Sequence, residues 1–452
     1  MTTMIPRPAE TDLHWRHYER FLMLGSEHGH YETSLPDLRD ASCPQLARCL
    51  KENGVEVVRQ AAALLTSGRS HRAEPAIFAL AQAVGLGSPE TRKEALEIFP
   101  HAIRSSAHLY QFCRYVRGHA GWGRSLRSAM AAWYNRRSTT ELVYQVIRAP
   151  YDRSWSHRDI LRLAHPKPPT DAHDLVYRWI STGAFDGDTL GDPGLELLNA
   201  YMQLGQTSSL PTVRALLTRW PALREILPGR WLRHGEVWTG ILPSLSAEAL
   251  VRWMPQMIEH DMLERGTPAY RHVLDRLRER DFASRGHLQP FQVLSAWAHY
   301  RYATTLKGGA PTSELVQALN AAYHQALAAR TPTGGTTVIA IDPVTSTALD
   351  GLPALPGMSP RLALTAIALE AATSSAETHL LSFGGGRERF SPVGPDALEA
   401  VQRLLDALPS GAPDVASPVG RALEQGLKAD TFLLLSGTRP NPVAHPPEQV
   451  MA

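Results

Sequence analysis

Cysteine is scarce in this chain of 452 residues, which contains only Cys43, Cys49 and Cys113. Three cysteines form no disulfide framework and are typical of a reducing compartment. The apolar runs are only a few residues long, too short to cross a bilayer. Residues Met1–Pro8 lack the apolar segment of a signal peptide. The sequence therefore predicts a cytoplasmic protein with no membrane partner.

Motifs of catalysis are also missing from the sequence. It contains no nucleophile elbow, no phosphate-binding loop and no pair of carboxylates placed for acid–base catalysis. Glu74, Glu94 and Glu97 fit the surface of predicted helices better than a cleft. These absences favour a binding protein over an enzyme.

Positive charge is concentrated in the N-terminal part of the chain. Residues 1–330 carry 39 Lys and Arg against 32 Asp and Glu, whereas residues 331–452 carry 7 against 12. Such asymmetry favours an anionic partner for the larger part. An ordinary arginine-rich surface would have the same composition.

Strand-like alternation is nearly absent before residue 330, and helical periodicity takes its place. Apolar residues recur at helical spacing from Pro44 onward, and Pro or Gly separates most of the predicted helices. Ser88, followed by Pro89 and Glu90, has the residues of a helix N-terminus. Many short helices joined by short turns predict an α-solenoid of stacked helix pairs, although no clean sequence repeat is present.

The pattern changes at the Thr331–Thr336 segment, which is rich in Pro and Gly. Three apolar runs beyond it read as buried strands alternating with helices, which predicts a small doubly wound α/β domain that is truncated at its end. The predicted strands are Thr337–Ile341, Thr378–Phe383 and Asp430–Gly437. We therefore divide the chain into a helical-repeat domain, residues 1–330, and an α/β domain, residues 331–452.

Two runs combine aromatic and basic residues in a loop that leads into a helix. In the first, Gly121–Asn135, the side chains of Arg124 and Arg127 have i, i+3 spacing. Arginine contacts phosphates well, so both are candidate RNA-binding residues, with a solvated helix surface as the alternative. Trp133 and Tyr134 fit a packing role better than a binding role.

The second run, Ser154–Pro168, has more basic residues. Arg158 and Arg162 have i, i+4 spacing and so share one face of the predicted helix. His157, His165 and Lys167 are adjacent in sequence and are expected to extend the same patch. Trp155 is a candidate either for the core or for stacking on a base.

Three motifs of this chain resemble the TROVE-domain family, the Ro autoantigen proteins and their bacterial counterparts. They are Phe21–Glu27, Gly121–Asn135 and Ser154–Pro168, and their order and spacing match that family over about residues 11–330. The strand that ends at Asp342 lies where the family has a von Willebrand A-like domain.

The resemblance implies a ring of HEAT-like helical repeats closed by the A-like domain. It also implies that the chain binds RNA and no DNA, with small structured Y-like RNA on the outer surface and single-stranded 3′ ends of misfolded RNA in the ring. The family's Y RNA-binding basic pair falls on Arg158 and Arg162. RNA quality control or processing, with an exoribonuclease as a candidate partner, follows from the same resemblance.

Related A-like domains bind Mg²⁺ through an Asp-x-Ser-x-Ser turn, a Thr and a second Asp. Here Asp342 and Ser346 match, but Val344, Pro413 and Gly437 occupy the other positions and offer no side-chain oxygen. Because Mg²⁺ demands near-octahedral oxygen ligands, we expect no metal and no cofactor, or at most a weak site through Asp342 and Ser346.

A different class of function also fits the helical pattern. HEAT-like arrays often serve as scaffolds for other proteins, and the modest net charge of +2 permits this role without RNA binding.

Overall fold

The computed structural model describes residues 10–26, 38–67, 72–119, 121–285, 288–331, 334–341, 352, 355–382, 387–389, 403 and 416–435. The chain forms two compact units, Met1–Ile226 and Leu227–Ala452. The predicted change from helices to strands falls inside the second unit, so the domain boundary at residue 330 stays a prediction.

The first unit is helical throughout its described part. Its helices are α1 (Glu10–Leu24), α2 (Leu46–Ser67), α3 (Glu74–Leu86), α4 (Pro89–Ala102), α5 (Ser106–Val116), α6 (Arg124–Asn135), α7 (Thr139–Arg148), α8 (His157–Ala164), α9 (Asp171–Thr182), α10 (Pro193–Gln206) and α11 (Leu210–Arg219). Short 3-10 helices cover Asp40–Ser42 and Pro221–Ile226.

Side-chain caps and prolines set where many of these helices begin. The hydroxyl of Ser88 accepts a hydrogen bond from the Thr91 amide at 3.2 Å, and Pro89 follows it as the first helical residue of α4. Ser105 and Ser138 cap α5 and α7 in the same way. Each cap satisfies an amide that the first helical turn leaves without a partner. The N-terminal signal predicted at Ser88 is therefore confirmed.

Alternate helices of the first unit pack side by side. Helices α2, α4, α6 and α8 form one row, while α3 contacts α2 and α4 from behind and packs against α5. This two-layer stacking confirms the predicted arrangement of helix pairs. It also places the α4, α6 and α8 surfaces next to one another on one side of the unit.

The second unit begins with further helices. They are α12 (Gly235–Ile241), α13 (Ala247–Glu259), α14 (Pro268–Leu277), α15 (Phe282–Arg285), α16 (Pro290–Leu306) and α17 (Ser313–Ala328), with 3-10 helices at Gly229–Arg233 and Leu242–Ser244. The short helices between residues 229 and 244 and α15 were not predicted, because segments this short carry too little periodicity.

A small sheet follows these helices in the second unit. It contains β1 (Thr336–Ile341), β2 (Glu377–Ser382), β3 (Arg387–Arg389) and β4 (Thr431–Leu435), accompanied by α18 (Pro360–Ser374) and α19 (Ala416–Glu424). The strand order is β3-β2-β1-β4, with β1 parallel to both β2 and β4. The three predicted parallel strands are confirmed, whereas the antiparallel edge strand β3 was not predicted.

Buried apolar side chains explain the central position of β1. Val338 and Ala340 pack with Leu381 of β2 and with Ala422 of α19. The candidate metal ligands Asp342 and Ser346, just after β1, lie outside the described residues.

All three cysteines are buried and none of them forms a disulfide, as seen for Cys43, Cys49 and Cys113.

Within the described ranges, no helix combines the length and the apolar character needed to span a bilayer.

Two glycines of α10 offer a matched test of the packing between helices. A Cβ atom on Gly194 would lie 2.4 Å from the carbonyl carbon of Thr139 and 2.5 Å from the Thr140 nitrogen, whereas a Cβ atom on Gly205 would meet nothing within 4 Å. Because a backbone cannot swing aside as a side chain does, Gly194→Ala should destabilise the protein by roughly 1–3 kcal/mol. Gly205→Ala should be neutral or stabilising by up to about 1 kcal/mol. Chemical denaturation measures both, and equal effects would contradict the close α7–α10 contact.

Candidate nucleic-acid interface

Helix α8 is defined by signals at both of its ends. At its start, Ser156 and Asp159 form a capping box, in which the Ser156 hydroxyl accepts from the Asp159 amide at 3.2 Å and the Asp159 carboxylate accepts from the Ser156 amide at 3.0 Å. At its end, His165 adopts a left-handed conformation with φ 47°, and Pro166 cannot continue the helix. The helix is therefore only eight residues long.

One stripe of α8 carries exposed arginines. Arg158 and Arg162 are exposed, and His165 follows at i+7 on the same stripe. The opposite face packs into the core through Ile160, Leu161 and Ala164. Among the described residues, no hydrogen bond or ion pair engages the side chains of Arg158, Arg162 and His165. They are thus available to an anionic ligand.

Lys167 extends this stripe beyond the helix. Its side chain is exposed, while its backbone carbonyl accepts a hydrogen bond from the Asn135 side chain at 3.0 Å. That contact holds the segment after α8 against the C-terminal end of α6.

The structure corrects the prediction for His157. This side chain is only 1% exposed and lies among α5, α6 and α8 instead of extending the basic patch. Its Nε2 atom lies 2.8 Å from the Ser106 hydroxyl, and its Nδ1 atom lies 2.8 Å from the Tyr134 hydroxyl. Burial, assisted by the nearby charge of Arg137, lowers the pKa of His157 to about 3. The ring is therefore neutral at physiological pH and cannot neutralise a phosphate.

The hydrogen bonds around His157 also indicate its tautomer. The Ser106 hydroxyl donates to the backbone carbonyl of Gln145 at 3.0 Å. Because that hydroxyl has a single proton, it accepts from Nε2–H of His157, and the unprotonated Nδ1 accepts from Tyr134. Both ring nitrogens are satisfied, and the ring links α8 to α5 and α6.

Helix α6 contributes further arginines, on two of its sides. Arg124 is exposed and lines a groove of about 720 Å³ between α4 and α6, together with Arg136 at the other end of α6. Helix α4 lines the same groove with Lys93, Glu97 and His101. Lys93 and Glu97 form an ion pair at 3.9 Å. Helix α6 itself contains no acidic residue.

Arg127 lies seven residues before Tyr134 and so on the same side of α6 as that residue, which contacts His157 of α8. The Arg127 Nε atom donates to the carbonyl of Trp122 at 2.8 Å, and the guanidinium remains exposed. The Trp122 ring contacts the Trp155 ring just before α8, with centroids 5.4 Å apart. Asn135, at the other end of α6, contacts the backbone of Lys167 after α8. Helix α6 and the segment before it are therefore in contact with the segments that precede and follow α8.

We group the exposed basic side chains of α6, α8 and the residues that follow each helix under one name, the basic face. It consists of Arg124, Arg127, Arg136, Arg158, Arg162, His165 and Lys167. Arg137, although adjacent to Arg136, is excluded because it is buried, with its guanidinium 3.6 Å from the Trp133 ring centroid and donating to the Ile103 carbonyl at 2.9 Å. Sequence alone offers no signal that separates these two arginines.

Three aromatic residues of the two motifs pack as core, whereas Trp122 is only half-buried. Trp133 and Tyr134 are fully buried, and Trp155 is almost so. The core alternative for Trp155 is therefore confirmed. No group of three or more His, Cys, Asp or Glu side chains in the described part of the chain is arranged to hold a metal ion.

The fold and the basic face define a helical-repeat protein with a cationic surface on one row of helices. Comparison with known proteins adds that residues 13–184, which include the whole basic face, match the model of the TROVE domain. This confirms the resemblance to the TROVE-domain family.

Two relatives are similar to the chain over most of its length, and both are named RNA-binding protein RO60. The protein from Caenorhabditis elegans is 24% identical, covering 92% of this chain and 76% of the relative. The protein from Deinococcus radiodurans is 23% identical, covering 92% of this chain and 78% of the relative.

A solved structure shows the same fold. The crystal structure of the Deinococcus radiodurans RO (RSR) protein matches with a TM-score of 0.82 at 21% sequence identity, covering 97% of this chain and 88% of that chain. Fold is thus retained where most residues differ.

The buried His157 predicts a pH dependence of stability. The unfolded chain binds a proton at this ring near pH 6.5, whereas the folded chain does so only near pH 3. The stabilisation is therefore fully present above about pH 6.5 and is lost as the pH falls toward 3, by up to about 1.4 kcal/mol per pH unit.

Denaturant unfolding between these pH values measures this contribution. His157→Gln should remove the contribution of this ring, up to about 1.4 kcal/mol per pH unit, from the slope of the unfolding free energy against pH. His165→Gln, at an exposed histidine eight residues away, should leave that slope unchanged. Identical slopes for His157→Gln and the unchanged chain would contradict the assigned protonation state.

Proposed function

We propose that this chain binds RNA and that the basic face contacts the RNA phosphates. The observation that carries this proposal is the pair of exposed, unengaged arginines Arg158 and Arg162, with the exposed His165 beside them. Phosphate neutralisation by such side chains provides much of the affinity of RNA-binding proteins. Arginine is suited to this because its planar guanidinium donates two parallel hydrogen bonds to one phosphate.

Local acids do little to cancel this charge. The one carboxylate in α8, Asp159, is engaged in the capping box with Ser156. Helix α6 has no carboxylate at all. Asp159 keeps its negative charge but forms no ion pair with Arg158 or Arg162, and the four arginines within α6 and α8 outnumber it, which favours an anionic ligand.

The relatives support RNA as the anion, since both are named RNA-binding proteins. We further propose that the chain acts as a binding protein without catalysis and without a cofactor. The arginines neutralise phosphates by themselves, and binding of this kind requires no metal.

The finer function that we propose follows the family resemblance. Small structured non-coding RNA of the Y type would bind the basic face, where Arg158 and Arg162 occupy the positions of the family's basic pair. Single-stranded 3′ ends of misfolded RNA would enter a separate site, the hole of the ring that the resemblance implies. RNA quality control or processing in the cytoplasm, with an exoribonuclease as a candidate partner, would be the cellular role.

A helical scaffold for other proteins is the second candidate. It is supported by a groove of about 1070 Å³ between α16, α17 and α18 in the second unit. Tyr302 and Leu306 line this groove and are 47% and 72% exposed. Exposed apolar side chains in a groove of this size are typical of surfaces that bind other molecules.

Replacing Arg158 and Arg162 together by Ala tests the proposed interface. At about 0.1 M salt, the loss of two phosphate contacts should weaken binding of a structured RNA roughly 10- to 60-fold, and the slope of log K against log salt should fall by about 2. Electrophoretic mobility shift over a salt series measures both quantities.

Arg271→Ala with Arg278→Ala is a matched control. Both arginines are exposed and belong to α14 and its C-terminal cap. Replacing them removes the same two positive charges as the first double variant. Equal losses for both double variants would overturn the assignment of the site. Failure of the unchanged chain to bind RNA even at low salt would instead favour the scaffold.

A further inference from the structure

The loop between α7 and α8 presents one aromatic side chain to solvent. Tyr151 is 73% exposed, more than the other large hydrophobic side chains in the described residues. Two aromatic side chains of the motifs on either side of it, Trp155 and Tyr134, are buried. No packing requirement of the fold accounts for a tyrosine at this position.

The backbone that carries Tyr151 is held firmly. The Asp152 carboxylate accepts hydrogen bonds from the Ser154 amide at 2.8 Å and from the Trp155 amide at 2.7 Å, and Arg114 donates to it at 2.8 Å. Burial opposes ionisation of Asp152, but these hydrogen bonds outweigh it and lower the pKa of the carboxyl. The Asp152 carboxylate thus holds the loop in a hydrogen-bonded turn, and the Tyr151 ring projects from that turn.

The position of Tyr151 connects it to the basic face. Tyr151 pairs with Ser156 in an isolated antiparallel bridge, and Ser156 caps α8 two residues before Arg158. Directly opposite residues in such a bridge lie about 5 Å apart at their Cα atoms. Arg153, in the same loop, is exposed and has no hydrogen-bond or ion-pair partner among the described residues. An exposed ring therefore lies in the same loop as the exposed Arg153, and its backbone pairs with the residue two positions before the exposed Arg158.

We infer that Tyr151 stacks on an unpaired RNA base while Arg153 and Arg158 hold adjacent phosphates. This inference rests on the proposed RNA-binding function and adds a requirement to it. An aromatic ring can stack on any base, because every base has a π-face, but it needs a base that is not already stacked inside a duplex. The loop thus selects RNA with an accessible unpaired base and does not read base identity.

A pair of RNA probes separates stacking from charge. One probe is a hairpin with a few unpaired nucleotides at each end, and the other is the same hairpin with abasic nucleotides in their place. Both have the same phosphates. Tyr151→Ala should weaken binding of the first about 5- to 150-fold, the factor that corresponds to a stacking contribution of about 1–3 kcal/mol per base.

The second probe and a conservative variant complete the experiment. Tyr151→Ala should leave binding of the abasic probe unchanged, and Tyr151→Phe should retain affinity for both probes because it keeps the ring. The salt slope should stay the same in both variants, since no phosphate contact is lost.

Two results would overturn the inference. The first is equal affinity of Tyr151→Ala and the unchanged chain for the first probe, and the second is an equal loss on both probes. In either case salt-dependent binding by the unchanged chain would leave the proposed function standing. Absence of RNA binding by the unchanged chain would remove the proposed function and the inference together.

Discussion

The buried ring of His157 is the contact on which the basic face depends. It accepts from Tyr134 of α6 and donates to Ser106 of α5, so that three helices meet at one side chain. The ring is neutral, which allows it to be buried without an opposing charge. Its two hydrogen bonds define how α8 is rotated about its axis, and this rotation directs Arg158 outward.

Three consecutive residues at the start of α8 therefore have three different roles. His157 packs, Arg158 faces solvent, and Asp159 caps the helix through Ser156. The capping box has an electrostatic consequence as well, because it engages the one carboxylate that would otherwise compete for the arginines. A short helix with a rigid beginning and a left-handed end is a suitable platform for a row of cations, since little conformational entropy of the backbone is lost on binding.

Much of this arrangement could be predicted from the sequence, because periodicity reports burial. The i, i+4 spacing of Arg158 and Arg162 placed both on one face, and the apolar runs around Val338 and Leu380 predicted the central strands. The prediction failed for His157, since a histidine next to arginines has the same sequence signature whether it is exposed or buried. Only packing against Ser106 and Tyr134, which are distant in sequence, decides between the two.

Other features depend on contacts that no local pattern contains. Arg137 is buried because the Trp133 ring and the carbonyl at the end of α4 receive its guanidinium. The exposure of Tyr151 results from a turn closed by Asp152, and the Asp-x-Ser spacing of that turn is too common to predict it. The edge strand β3 has three residues, two of them Arg, and carries no alternation to recognise.

Ultraviolet crosslinking of the full chain to RNA, followed by mass spectrometry of the crosslinked peptides, shows which helices touch RNA. We expect crosslinked peptides of the first unit to come from α6, α8 and the loop before α8, where the basic face and Tyr151 lie. Crosslinks confined to other helices of that unit, or absent altogether while RNA-binding control proteins crosslink, would contradict this expectation.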